Sequence, residues 1–310
     1  MTVQPGTTGA PLAPAASVRT SGVSLARSEP GGWRSRISSV LYMLALAAAT
    51  FVFIFPLVWL ISASLKTRST VYNNELFATP LQFDNYVRVF ELAPVASWLF
   101  NSIIVALLAA ATVTLSSALV AFAFAYFRFP FRGPLFGLVL ASMMLPGAVT
   151  MIPNFLIWNQ LGQVNTLTPL WAGNLFGSAF YIFLLRQFFM GLPRELFEAA
   201  RVDGASYLRM WWSIAMPLTR AALIVVVVFE LKASWTDIMK PLIFLRDTAL
   251  YTLPLGLKTL VDRFNPTAGG QGEFQYVMAA SVIITVPMIA VFFLAQRYFV
   301  EGIATTGSKG

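Results

Sequence analysis

Apolar residues along this chain run in long blocks, and the breaks between blocks are short and polar. Between Arg132 and Arg186 there is no Asp, Glu, Lys or Arg. A membrane-spanning helix takes about 20 apolar residues, so this tract holds two spans joined by the turn Leu161–Thr168. The same pattern predicts a span inside Arg36–Lys66, another inside Glu91–Arg128, one around Ala221–Lys240 and one from Tyr276 to Tyr298. The run from about Val40 to Leu60 is too long for a secretory signal and ends in no small-residue cleavage pattern, so it reads as a retained first span. The expected fold class is all-α, a polytopic membrane protein with six transmembrane helices. Open strands cannot cross lipid with unpaired backbone groups, and no regular series of short alternating segments suggests a closed barrel. Two longer connections, Ala63–Ser97 and Pro241–Gln275, fall on one side, and Asp84-Asn85-Tyr86 is the most ordered part of the first.

Composition fits this picture, with 57% hydrophobic and 11% charged residues. Residues 1–36, rich in Ala, Pro, Ser, Thr and Gly, are expected to be a disordered cytoplasmic tail, and 37–310 the transmembrane domain. If the N-terminus is cytoplasmic, the inner segments carry thirteen Lys and Arg and the outer segments seven. That bias places both termini inside the cell membrane. The net charge of +8 is then largely a topology signal, and without a basic stripe interleaved with aromatics it gives no nucleic-acid surface.

The chain has no His and no Cys, which removes Ser-His and Cys-His nucleophile pairs, thiol redox chemistry and ordinary zinc sites. No Gly-x-x-x-x-Gly-Lys-Ser/Thr loop is present, since Gly307-Ser308-Lys309-Gly310 lacks the spacing and the following helix. No catalytic residue, cofactor or metal ligand is assigned, and the chain is not expected to hydrolyse nucleotides itself.

The most informative polar segment is Glu198-Ala199-Ala200-Arg201-Val202-Asp203-Gly204-Ala205, set between long apolar spans. Pro193 suits the start of a helix, and Glu195 and Glu198 suit the positive end of its dipole. Leu196, Ala199 and Ala200 are expected to share a nearly flat face that another surface can approach. Gly204 fits a helix end that needs positive φ, and Ser206 can cap a second short helix, Tyr207–Ser213, before Pro217. From physics alone this helix pair is either a docking element or an amphipathic helix lying on the bilayer, and Trp211 and Trp212 fit both.

On the fifth predicted span, Glu230, Ser234 and Asp237 share a face at i, i+4 and i+7. Charges there cost about 2.5–3.5 kcal/mol at the helix centre, so the face should meet protein or water. Glu230, Trp235 and Asp237 either line a pathway for a solute or anchor this span to a neighbouring protein. Lys232 points elsewhere and needs its own partner or a route to the interface. Pro56, Pro146, Pro153 and Pro287 fall inside spans, and Asn101, Asn154, Asn159 and Asn174 suit hydrogen bonding between helices.

Leu192-Pro193, Glu198-Ala199-Ala200, Asp203-Gly204-Ala205, Ile214 and Pro217 together resemble the "EAA" loop of ATP-binding-cassette importer permeases. Asn101-Ser102, Phe129-Pro130-Phe131-Arg132-Gly133, Pro146-Gly147, Ile152-Pro153, Asn165-Thr166, Trp235-x-Asp237, Pro241-Leu242-Ile243, Tyr251-Thr252-Leu253-Pro254 and Tyr298-Phe299-Val300-x-Gly302 extend the likeness to the carbohydrate-uptake subfamily, close to the second maltose-type permease subunit. It covers Leu41 to Gly310 and departs at Thr236, where Asn is commoner, and at Thr306–Ser308. The resemblance implies a non-catalytic sugar permease that pairs with a homologous second permease and sits on two ATPase subunits. It also implies that solute arrives from an extracytoplasmic binding protein. In such a subunit Glu198, Ala199, Ala200, Asp203, Gly204 and Ala205 would form a cytoplasmic coupling helix pair inserted into the ATPase, and Gly302–Gly310 would reach the same interface. The alternatives are an ion-coupled secondary transporter and an importer permease for a non-sugar solute such as glycerol phosphate.

Overall fold

The computed structural model describes residues 33–77, 79–265 and 272–307, with side chains described for 37–77, 79–265 and 272–296. The first 32 residues of the expected tail and the last three of the chain lie outside that set, while Trp33–Arg36 already belong to the first helix. In chain order the helices are α1 (Trp33–Ser64), α2 (Asp84–Leu92), α3 (Val95–Tyr126), α4 (Arg132–Ser142), α5 (Gly147–Gln160), α6 (Thr168–Trp171) and α7 (Ala179–Met190). They continue as α8 (Arg194–Val202), α9 (Tyr207–Met210), α10 (Met216–Leu218), α11 (Arg220–Thr236), α12 (Met239–Phe244), α13 (Leu253–Phe264) and α14 (Phe274–Gly307). No strand occurs among the described residues.

The chain divides into two units, Met1–Ile54 and Phe55–Gly310. In the first, every described side chain of α1 from Ile37 to Ile54 is exposed, with Phe53 at 82%. An apolar helix uncovered on all sides belongs in lipid or against another membrane protein.

Three helices, Ile37–Ser64, α3 and Phe274–Gln296, are long and apolar enough to cross a membrane unbroken. The remaining expected spans are bent pairs. α4 and α5 meet at 98°, the Thr168–Phe176 segment meets α7 at 40°, and Tyr207–Leu218 meets α11 at 83°; counting each pair as one crossing gives six. Each break has a local cause. Pro146 caps α5 in extended backbone (ψ 134°) and cannot continue α4. Gly177 takes φ +78° before α7. The third bend falls at Thr219, whose φ of −108° and ψ of 18° leave the helical region ahead of α11, whose 17 residues cover ~25 Å. The apolar run was expected to continue to Lys240. Instead it ends at Asp237, whose backbone is extended and whose carboxylate accepts from the Met239 and Lys240 amides at 2.9 and 3.2 Å. Asp237 therefore stops one helix and caps α12.

α3 is the axis of the second unit. Its buried face carries Ala106, Ala109, Ala110, Ser117, Ala118 and Ala121, small side chains that let α7 and α11 approach closely, and α14 packs on α11. Two apolar cores lie at opposite ends of this bundle, one around α8 and one around α13.

The α13 end is tied by side-chain bonds to backbone. Trp98 Nε1 donates to the Thr248 carbonyl at 2.7 Å, Asn101 Nδ2 to the Ala249 and Tyr251 carbonyls at 2.9 and 3.1 Å, and the Ser102 hydroxyl accepts from the Leu253 amide at 2.7 Å. Asn165, at φ +63°, accepts through Oδ1 from the Arg246 and Asp247 amides, both at 2.9 Å. The Asp84-Asn85-Tyr86 segment opens α2, and Asn85 Nδ2 donates to the Ser64 and Lys66 carbonyls at 2.8 and 2.9 Å. The second long connection is more regular than expected, because α12 and α13 occupy it.

Gly256 packs against the face of Trp98, where an added Cβ would lie 2.1 Å from the ring. The ring is fixed by its bond to Thr248 and has no room to withdraw. Gly256→Ala is expected to destabilise the fold by ~1–3 kcal/mol, the range for forcing a methyl into a packed core. A thermal-unfolding scan of the detergent-purified variant checks this through a lowered midpoint.

Candidate functional site

The polar segment begins where Pro193, in extended backbone (ψ 130°), caps α8. Glu195 sits in the first turn and Arg201 in the last, both favourable to the helix dipole. At the far end the Gly204 amide donates to the Arg201 carbonyl (3.1 Å) and the Ala205 amide to the Ala200 carbonyl (2.9 Å). This is a Schellman closure, and it requires the φ of +80° found at Gly204. Nothing lies within 4 Å of a Cβ there, so the demand for glycine is conformational, not steric. The Ser206 hydroxyl then caps α9, accepting from the Arg209 amide at 3.3 Å. The second helix runs further than the expected Tyr207–Ser213, through a π-helical turn at Trp211–Ala215 into α10.

The expected flat face is corrected by the packing. Leu196 and Ala199 are exposed, and the inward face is Phe197 (4% exposed) with Ala200. Phe197 enters an aromatic cluster at the ends of α3 and α7, its ring centroid 5.3 Å from Tyr126 and 5.8 Å from Phe122, while Phe189 meets Phe122 edge-on at 5.9 Å. The sequence carried a signal for this, since Phe197 and Ala200 fall three apart, but the polar neighbours of Phe197 obscured it. Tyr207 packs edge-on to Phe127 at 4.9 Å, and the Arg201 guanidinium lies 5.6 Å from the Tyr207 ring centre, joining the two short helices. The exposed positions are Arg194, Glu195, Leu196, Glu198, Ala199, Arg201, Val202 and Asp203. Glu198 makes no hydrogen bond or ion pair among the described residues, and Val202 is 88% exposed. One side of α8 is thus packed against the ends of α3 and α7, and the other is open and carries charges of both signs.

The second group lies along α11. Glu230, Ser234 and Asp237 line one cavity of about 260 Å³, together with Asn174, Lys240 and Thr252. Asn174 Nδ2 donates to Glu230 Oε1 at 2.7 Å. Lys240 Nζ stands 4.0 Å from Asp237 Oδ2, a partly exposed pair that contributes little by itself. The hydroxyl of Thr252, a residue 3% exposed, has no hydrogen-bond partner among the described residues. A cavity lined by hydroxyls, an amide and charges of both signs suits a solvated polar molecule.

Trp235 is not brought into this group. It is 6% exposed, donates through Nε1 to the Ile284 carbonyl at 3.1 Å, and borders a separate apolar groove with Pro254, Val261 and Met288. Its indole is committed to holding α11 against α14. Lys232 is exposed and has no ion pair among the described residues. Asn101 and Asn174 do bond between helices, whereas Asn154 borders another cavity beside α12.

Glu230→Ala would leave the Asn174 amide without its acceptor in the bundle. The expected cost is ~1–3 kcal/mol, while Glu230→Gln keeps an acceptor oxygen and most of the stability. Thermal midpoints of the two variants measured side by side separate these outcomes.

Residues 115–305 match the model of the family described as binding-protein-dependent transport system inner membrane component. The arabinooligosaccharides transport system permease protein AraQ of Halalkalibacterium halodurans is 31% identical over 281 residues, covering 89% of this chain and 98% of that one. The lactose transport system permease protein LacG of Rhizobium radiobacter is 31% identical over 270 residues, covering 87% and 96%. Among solved structures, a chain of a bacterial ABC transporter involved in import of the acidic polysaccharide alginate superposes with a TM-score of 0.77 at 23% identity, covering 88% of this chain and all of that one. With its bundle of apolar helices and its polar helix pair mounted at one end, this chain belongs to the family of inner membrane components of binding-protein-dependent transport systems.

Proposed function

We propose that this permease, paired with a homologous second permease, encloses the path by which a sugar or sugar derivative enters the cell. An extracytoplasmic binding protein delivers the solute, and two ATPase subunits supply the energy. Both termini and the helix pair α8–α9 face the cytoplasm. Glu198, Ala199, Ala200, Asp203, Gly204 and Ala205 form the coupling element, with Glu198 and Ala199 presented to the ATPase and Ala200, Gly204 and Ala205 fixing the shape of the mount. Closure of the ATPase pair moves α8, and the Phe197 cluster carries that motion into α3 and α7.

The observation that carries this reading is the two-sidedness of α8, buried at Phe197 and open at Glu198 and Val202. A helix lying on the bilayer would turn apolar residues to lipid and charges to water. Here Phe197 is spent inside the protein, and the exposed positions combine charges of both signs with Leu196, Ala199 and Val202. The sugar assignment draws on the arabinooligosaccharide and lactose permeases as relatives and on the hydroxyl- and amide-lined cavity at Glu230 and Asp237. That cavity is the proposed point of contact between solute and this subunit.

Reconstitution tests the proposal. Proteoliposomes holding the complete assembly should take up labelled oligosaccharide only with ATP inside and the binding protein outside. Uptake by this chain alone, driven by an ion gradient, would replace the proposal with a secondary transporter.

A further inference from the structure

Arg128, Arg132, Arg186 and Arg194 gather at the α8 end of the bundle without a carboxylate partner. The ion pairs among the described residues are Arg88 with Asp84, Lys240 with Asp237 and Lys258 with Asp262, and none involves these four arginines. Arg186 is held by its own chain, donating from Nε to the Phe124 carbonyl at 3.4 Å and stacking 4.2 Å from the centre of the Phe136 ring, yet it still feels Arg132 as a neighbouring like charge. Arg132 and Arg194 line a cavity of about 90 Å³ together with Tyr126, and Phe189, Leu192 and Phe197 form its apolar walls. Neither guanidinium makes a hydrogen bond among the described residues.

Two guanidinium forks on one small cavity, backed by a third cation and opposed by no acid, form a receptor for a compact anion with several acceptor oxygens. Phosphate matches that geometry and charge. The surroundings distinguish a lipid from a soluble anion. Phe131 (75% exposed), Leu135 (44%) and Met190 (52%) lie beside the arginines at the ends of membrane-spanning segments, where they offer an apolar surface to acyl chains. We propose that the cavity between Arg132 and Arg194 binds the phosphate headgroup of an anionic phospholipid, pinning the base of α8 to the membrane surface. Arg194 and Glu198 stand one turn apart on α8, so this site adjoins the proposed ATPase-docking surface and is told apart from it by reading lipid retention and assembly separately.

Native mass spectrometry of the purified transporter, extracted from vesicles of phosphatidylcholine with phosphatidylglycerol, tests it. The wild-type assembly should retain phosphatidylglycerol in preference to phosphatidylcholine. Arg132→Gln and Arg194→Gln should each lower that retention by about fivefold, the factor for one interfacial basic residue. Arg132→Lys, which keeps the charge but loses the fork, should lose less than Arg132→Gln, and Arg209→Gln, outside the cavity, should change nothing. The same spectra report whether each variant still assembles, which separates loss of the site from loss of the fold. Equal retention of both lipids would overturn the proposal, as would retention unaffected by either glutamine variant. Displacement of the lipid by inorganic phosphate would overturn the lipid assignment in favour of a soluble anion.

Discussion

Replacing Glu198 with alanine is expected to abolish most ATP-driven uptake while the permease inserts and folds as before. Glu198 is exposed and bonds to nothing among the described residues, so its removal leaves no buried group unpaired and no cavity. Surface substitutions of this kind usually stay within about 0.5 kcal/mol. In the assembly its carboxylate is proposed to lie within the ATPase contact. Truncating one partner of a buried charged hydrogen bond costs ~2–5 kcal/mol, so binding of the ATPase should weaken about 30-fold or more. Co-purification and stimulated ATP hydrolysis should fall together, with the thermal midpoint of the isolated permease unchanged. Normal transport by this variant would remove Glu198 from the coupling element.

Phe197→Ala separates the mount from the docking face. The lost side chain is buried and meets two aromatic rings, so the expected destabilisation is ~3–5 kcal/mol. Unlike the Glu198 variant, it leaves the outward face chemically intact. ATPase subunits should still co-purify, but uptake per ATP hydrolysed should drop, because α8 can move without carrying α3 and α7. Phe197→Leu, which refills most of the volume, should recover the larger part of both stability and coupling. If Phe197→Ala transports with normal stoichiometry, the aromatic cluster is packing and nothing more.

Much of this architecture was legible in the pattern of apolar and charged positions. The charge-free tract between Arg132 and Arg186 required two crossings, and two are present once their bends are allowed for. Hydropathy reports only how long a segment stays apolar, so it could not show that α4 and α5 meet at 98°. Pro146 marked the position without giving the angle. The end of α11 at Asp237 was hidden for a related reason, since a carboxylate that caps the following helix looks in sequence like one on a helix face. α13 was readable in principle, because Leu253, Leu257, Leu260 and Phe264 repeat at helical spacing, but a connection rich in Pro and Gly drew attention to its breaks.

Among the candidate residues, local chemistry was easier to read than long-range contact. Pro193, Gly204 and Ser206 were identifiable because caps and left-handed turns depend on a few neighbouring residues. The burial of Phe197 and the withdrawal of Trp235 into the α11–α14 contact depend on helices far away in sequence. Asn174 and Glu230 meet across 56 positions, and no spacing rule joins them. Their pairing also explains how a carboxylate is tolerated in the bundle: it accepts from an amide beside a polar cavity instead of facing hydrocarbon.

The chain contains no cysteine, so a single Ala199→Cys substitution gives one unique thiol on the outward face of α8. Exposed to a short thiol-specific photo-cross-linker in the complete assembly, that thiol should yield a permease–ATPase product whose amount changes when ATP is bound. Persistent failure to cross-link to the ATPase in an assembly that still transports would contradict coupling through this helix.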